Sequence, residues 1–234
     1  MKIAGLQKMT LLDFPGKVAC TVFLDGCNFR CPFCHNSGLL EGRAEEAMTQ
    51  EALLAFLEKR KGILEGVCVT GGEPTLQKSL PEFLKKIKDL GYAVKLDTNG
   101  YRPEVLRSVV EQGLVDYVAM DIKNGPDYYN TTTGVKIDLK KIEESIKFLA
   151  CEKINYEFRT TICNPLHDAQ SIAQMGHWLL GLTDGKPVKA LYLQPFVDRD
   201  SVKMAGFSAP DEETLSSYKQ ALIHAAETVV VRGI

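Results

Sequence analysis

"GVCVTGGEPTLQKSLPEFLKKIKDLGYAVKLDTNG", Gly66 to Gly100, holds two apolar runs of strand length on either side of a segment with helical spacing. "GVCVT" and "YAVKLDT" combine β-branched and apolar residues and sit next to turn-forming residues, the pattern of strands. Between them the spacing predicts a helix from about Leu80 to Leu90. Pro81 falls in its first turn, where a missing N–H costs little. Strand, helix and strand in this order argue for a parallel pair with a right-handed crossover.

The same unit recurs in both directions along the chain. Upstream, "KVACTVFL" (Lys17–Leu24) reads as a strand. "MTQEALLAFLEKRKG" then opens with Thr49 as an N-cap and places Ala52, Leu53, Phe56 and Leu57 at helical spacing. Downstream, a helix is expected over Pro103–Gln112. The run "VDYVAMDIK" precedes a looser segment, "NGPDYYNTTTGVK", and a helix near Leu139–Ala150. "INYEFRTTI" precedes a helix near Ala169–Leu180, and "VKALYLQPF" is followed by "PDEETLSSYKQALIHAAE" and a last apolar run, "TVVVRG". Six strand-then-helix units emerge, with a seventh strand at the end. They fall short of the eight that close a full barrel. The expected fold is therefore α/β: a partial (β/α)6 TIM-type barrel, laterally open, on a parallel sheet, with a doubly wound open sheet as the alternative. No Pro/Gly/Ser-rich linker interrupts the pattern, so residues 1–234 are expected to form a single domain.

Composition narrows the function. The chain has 234 residues, 45% hydrophobic and 25% charged, with a formal charge of -2 from 28 basic and 30 acidic side chains. No strong global field favours nucleic acid or an anionic membrane. "MKIAGLQKMTLLDFPGK" lacks the apolar core of a signal peptide, and no apolar run approaches the roughly 20 residues needed to span a bilayer. A cytoplasmic location is expected, and in a reducing compartment clustered cysteines more often bind metal or do redox chemistry than form disulfides. Cys20, Cys68, Cys151 and Cys163 each lie in or beside an apolar stretch and are expected as small buried hydrophobes.

Active groups on parallel sheets gather at the carboxyl ends of the strands. Those ends here carry the cysteine run, then "TGGEP" (Thr70 to Pro74), then "DTNG" (Asp97 to Gly100). Asp121 and Lys123 follow, then Arg159, Thr160 and Thr161, then Gln194. Six polar strand ends together suggest one site. Its centre is "CNFRCPFCHN", Cys27 to Asn36. Seven cysteines scattered at random would give C-x3-C-x2-C with a probability of only about 0.006. A thioredoxin-like dithiol at Cys31 and Cys34 leaves Cys27 idle. Covalent haem on "CPFCH" would suit an exported protein, and a structural zinc site wants a fourth ligand that no second C-x-x-C or His pair supplies. Three thiolates suit a 4Fe-4S cluster that keeps one iron open for substrate chemistry.

With Phe33 before the last cysteine, "CNFRCPFC" resembles the hallmark of radical S-adenosylmethionine enzymes. "GGEP", "CHN", "TNG" (Thr98 to Gly100) and "MDIK" (Met120 to Lys123) resemble the activases of glycyl radical enzymes. Across nearly the whole chain the resemblance is to activating proteins of anaerobic ribonucleoside-triphosphate reductases.

The resemblance implies two cofactors, one 4Fe-4S cluster on Cys27, Cys31 and Cys34, and S-adenosyl-L-methionine on its fourth iron. It implies that Gly71 and Gly72 let backbone approach the methionine end, that Glu73 accepts from its ammonium group, and that Phe33 lies near adenine. Asp121 would accept from ribose hydroxyls and Lys123 would pair with the methionine carboxylate. Arg159 and Gln194 would complete the rim, and Thr98 and Asn99 are divided between cofactor contact and turn chemistry. Related activases of pyruvate formate-lyase carry a histidine near the last barrel strand, where this chain reads "YLQPFVDRD". The chain also lacks the cysteine-rich insert of some activases, so one cluster is expected. The implied partners are the glycyl radical subunit of an anaerobic ribonucleoside-triphosphate reductase and a one-electron donor such as flavodoxin or ferredoxin; no nucleic acid or membrane partner is expected. Two other readings stay open: a radical enzyme acting on another glycyl radical protein or a small molecule, and a non-catalytic iron-sulfur electron carrier.

Overall fold

A computed structural model describes residues 1–232. The elements run β1 (Ile3–Thr10), β2 (Ala19–Leu24), α1 (Gln50–Glu58), β3 (Gly66–Gly71), α2 (Leu80–Asp89), β4 (Ala93–Thr98), α3 (Pro103–Glu111) and β5 (Tyr117–Asp121). They continue as α4 (Tyr129–Thr133), α5 (Leu139–Cys151), β6 (Asn155–Ile162), α6 (Ala169–Leu182), β7 (Leu191–Pro195), α7 (Glu212–Leu222) and β8 (Val229–Val231). Strand order follows chain order from β1 to β8, open at both ends. The fold class is the expected one, α/β on a mostly parallel, unclosed sheet. Among the described residues no helix is long and apolar enough to cross a membrane.

Residues cluster into two compact units: Met1–Asn28 with Gly38–Thr98 and Arg102–Ala119, and Phe29–Ser37 with Asn99–Tyr101 and the chain from Met120. In the first unit β2, β3 and β4 pair in parallel, with Ala19 opposite Gly66 and Gly66 opposite Ala93. β2 and β3 are buried almost end to end, which is why both read as continuous apolar runs instead of alternating ones. Leu53, Leu57, Leu84, Ile87, Leu106 and Val109 bring the helices' apolar stripes into this core, each such side chain contributing about 1.5–3 kcal/mol by burial. Thr49 caps α1 by accepting from the Ala52 N–H, and Pro81 and Pro103 stand in the first turns of α2 and α3, as expected.

The first unit also holds a strand the periodicity does not reveal. β1 pairs antiparallel with β2 through two register irregularities. Only Ile3 and Thr10, at its ends, are buried, so neither alternation nor an apolar run marks it.

In the second unit β6, β7 and β8 pair in parallel, with Phe158 opposite Leu191 and Leu191 opposite Val229. Asp168 and Ser171 form a reciprocal capping box at the start of α6. β8 ends the pattern as expected; Gly233, the last residue of "TVVVRG", lies outside the described residues. The looser segment after β5 contains a 3-10 turn and the short α4, closed by Gly134 in the left-handed region. Of the four cysteines expected to be buried, Cys20, Cys68 and Cys163 are. Cys151 is exposed, because it closes α5 on the solvent side of the last turn.

Candidate active site

In the first unit the ends of β2, β3 and β4 meet. Gly72 N–H donates to Leu24 O at 2.8 Å and Glu73 N–H to Gly26 O at 2.7 Å, so the glycine segment is laced to the backbone leading into Cys27. That lacing requires glycine: an added Cβ would lie 2.3 Å from the Leu24 backbone at Gly71 and 2.1 Å from Gly26 O at Gly72. Cys27 N–H in turn donates to Leu40 O. Glu73 is only 1% exposed, which excludes a solvated loop carboxylate. Its Oε1 accepts from the Thr75 N–H at 3.1 Å, from the Thr98 hydroxyl at 2.7 Å and from the Thr75 hydroxyl.

The second unit gathers Cys31, Phe33, Cys34, Asp121, Lys123 and Arg159. Cys34 N–H donates to Cys31 O at 3.1 Å, closing a tight turn between these two thiols. Phe33 is buried edge-on to Phe207, with ring centres 6.4 Å apart, which anchors the cysteine loop. Asp121 is held from both sides, by Lys123 Nζ at 2.9 Å and Arg159 Nε at 3.0 Å. This trio is largely sheltered from solvent, not a surface ion pair. Burial opposes ionisation of Asp121, but the charges of Lys123 and Arg159 outweigh it and hold the carboxyl down at about 2. Lys123 is likewise desolvated, yet the Asp121 carboxylate keeps it firmly protonated. Burial pushes the Cys31 thiol up to about 11 despite the Lys123 charge, and burial also raises Cys34. Both thiols therefore hold their protons until a cation displaces them.

Asn99 caps its own turn, its Oδ1 accepting from the Tyr101 N–H at 3.0 Å. Gln194 stands half-buried at the end of β7, opposite Thr161.

Two features of this unit carry no sequence signal. His35 stacks on Phe196 at 5.3 Å and places Nε2 2.6 Å from Val197 O, while the Ser37 hydroxyl donates to Ser201 O. Together they bracket the cysteine loop to the segment after β7, and the partners are more than 160 positions apart in the chain. Tyr129, on α4, is buried with a hydroxyl that makes no hydrogen bond. Only "YY" within a polar stretch could have drawn attention to it.

Residues 21–172 match the radical SAM superfamily, and the chain belongs to it. Over 99% of its length it is 30% identical to a Methanocaldococcus jannaschii protein named as a glycyl-radical enzyme activating enzyme, 96% of which is covered. The pyruvate formate-lyase-activating enzyme of Clostridium pasteurianum is 33% identical over 57% of each chain.

Among solved structures, a domain of pyruvate-formate lyase-activating enzyme from Bacteroides vulgatus aligns with a TM-score of 0.58 at 22% identity, over 72% of this chain and 99% of that one. Streptococcus suis SuiB bound to S-adenosylmethionine aligns at 0.67 and 11% identity, over 91% of this chain and 52% of that one. These two likenesses bear on the fold, which is of the partial-barrel kind.

Enzymes of this superfamily bind a 4Fe-4S cluster and S-adenosylmethionine. The donor chemistry here fits both groups. Three thiols unlinked by disulfides stand in the required spacing, a cationic pair surrounds Asp121, and a buried hydroxyl lacks a partner.

Proposed function

We propose that this radical SAM enzyme is an activase that installs a glycyl radical on an anaerobic ribonucleoside-triphosphate reductase. The observation that carries the activase reading is the end-to-end similarity to the Methanocaldococcus jannaschii protein. The choice of reductase rests on the run of motifs from "GLQKMTLLDFPGK" to "LQPF".

Cys27, Cys31 and Cys34 would hold the cluster, thiolates being soft anionic ligands suited to iron. When bound, the cluster would supply one-electron reductive chemistry to S-adenosylmethionine on the open iron. The chain's own residues bind, orient and exclude water. Lys123 pairs with the methionine carboxylate and Asp121 accepts from the ribose hydroxyls, both preset by the trio with Arg159. The laced backbone of Gly71 and Gly72, with Glu73 beneath it, receives the methionine end. Thr98 acts through Glu73. Phe33 and its peptide, Asn99 and Gln194 border the adenosine. A flavodoxin or ferredoxin in a reducing cytoplasm provides the electron.

The test is anaerobic: load the cluster, add dithionite and S-adenosylmethionine, and measure 5'-deoxyadenosine with and without an anaerobic ribonucleotide reductase. A glycyl radical signal on the reductase, accompanied by 5'-deoxyadenosine, is expected. Product without that signal would remove this partner and leave another glycyl radical protein or a small molecule as substrate. No product from a fully loaded, reduced cluster would overturn catalysis altogether.

A further inference from the structure

Tyr129 lies buried on a helix that is tied to the cysteine loop. Its ring meets Trp178 edge-on at 6.0 Å. Its helix, α4, is fastened to the cysteine loop, since Arg30 N–H donates to Thr133 O at 2.8 Å. The approach behind that bond is so close that a Cβ on Gly134 would lie 2.3 Å from Arg30 O. A second tie runs from Asn124 Nδ2 to the Thr132 hydroxyl at 2.9 Å. These ties fix α4, and the ring itself is packed against Trp178.

The side chain is 1% exposed, and its hydroxyl has no partner. A buried O–H is rarely left so, because burial removes the water that would satisfy it. The groups that act on it electrostatically are Lys123, Asp121 and Cys31; the Lys123 backbone N–H is directed at its oxygen, so the hydroxyl proton is what is left to place. Asp121 is already engaged by Lys123 and Arg159, and the Lys123 ammonium has only donors to offer. The hydroxyl bonds to neither Asp121 oxygen, and the other acceptor among these groups is the sulfur of Cys31. As a thiol it is a weak acceptor; as an iron-bound thiolate it is an anion.

We propose that the Tyr129 hydroxyl is a hydrogen-bond donor to the iron-sulfur cluster, giving its proton to an anionic sulfur on the Cys31 side and thereby raising the cluster's reduction potential. Reduction adds negative charge to the cluster, so a donor at sulfur favours the reduced form. The inference rests on the family's cluster and not on the identity of any partner protein, so its outcome is independent of the activase reading.

The test compares Tyr129→Phe with the wild type, both loaded with iron and sulfide, in redox titrations without S-adenosylmethionine. At equal iron content, the ratio of reduced to oxidised cluster at a fixed poise should fall about tenfold, one charge-assisted hydrogen bond being lost from the reduced state. An unchanged titration at full iron content would overturn the proposal. So would weaker S-adenosylmethionine binding with an unmoved potential, which would assign the hydroxyl to that ligand instead. Should Tyr129→Phe fail to hold iron, 3,5-difluorotyrosine at position 129 keeps the hydroxyl as a stronger donor. It should move the potential the other way, and no movement would refute the donation.

Discussion

Asp121 illustrates how one residue of the site is set by its neighbours. Alone in the sequence, "MDIK" is compatible with an exposed ion pair; in the structure Arg159, from a different strand, completes a sheltered trio. Because the folded carboxyl ionises at about 2 instead of the ordinary 3.8, its stabilising contribution is complete above about pH 4. That contribution disappears as the pH falls toward 2. Asp121→Asn should therefore cost about 3 kcal/mol near neutral pH, mostly by leaving Lys123 and Arg159 uncompensated. The gap from wild type should narrow between pH 4 and pH 2, as followed by denaturant unfolding at a series of pH values. A gap constant with pH would mean that the trio's charges are not coupled to folding. Glu73 teaches the same lesson in reverse. The glycines before it were legible as places where backbone must come close, but the first backbone to come close is the chain's own, at Leu24 and Gly26.

At the scale of elements, the helices were legible because their signals are local. Caps, first-turn prolines and apolar stripes lie within a few residues of one another, so α2, α3, α5 and α6 fall within a residue or two of expectation. The structure adds a start signal the sequence reading did not use, the Asp168–Ser171 box of α6. Asp168→Ala should destabilise the protein by about 1–2 kcal/mol, and Asp168→Ser by less, since serine also caps well. Thermal unfolding of the apo protein should register the alanine change as a fall of about 3–6 °C. Equal melting of all three proteins would show the cap to be replaceable by water. β1 was not legible, and its irregular pairing explains why: two register shifts break the two-residue period that would have announced it. The bracket formed by His35 and Ser37 was equally silent. Its partners are the backbone carbonyls of Val197 and Ser201, and a carbonyl carries no sequence signature.

Across the whole molecule, the site motifs fall on both compact units. Cys27, Gly71, Gly72, Glu73 and Thr98 belong to the first, and Cys31, Phe33, Cys34, Asn99, Asp121, Lys123, Arg159 and Gln194 to the second. The boundary passes through the cysteine run itself, between Asn28 and Phe29. A single cluster held by this run should give about four irons and four sulfides per chain on anaerobic loading. Cys31→Ala should lose most of the iron. Cys163→Ala should keep it, although Cys163 lies within electrostatic reach of Cys31, because its thiol is buried beside His167 and outside the run. About eight irons in the wild type, or loss of iron from the Cys163 variant, would refute this ligand set.

The sequence by itself determined the alternation of strands and helices, the caps, the parallel open sheet and the spacing of three thiols. Each of these follows from residue types a few positions apart acting through local periodicity, turn chemistry or metal-ligand preference. Only the tertiary structure decided that buried Glu73 accepts from Thr98, that Arg159 joins Asp121, that His35 grips the segment after β7, and that the Tyr129 hydroxyl is buried with its proton unplaced. Those facts depend on which distant residues meet and on which polar atoms water can no longer reach, and neither is encoded in any short stretch of chain.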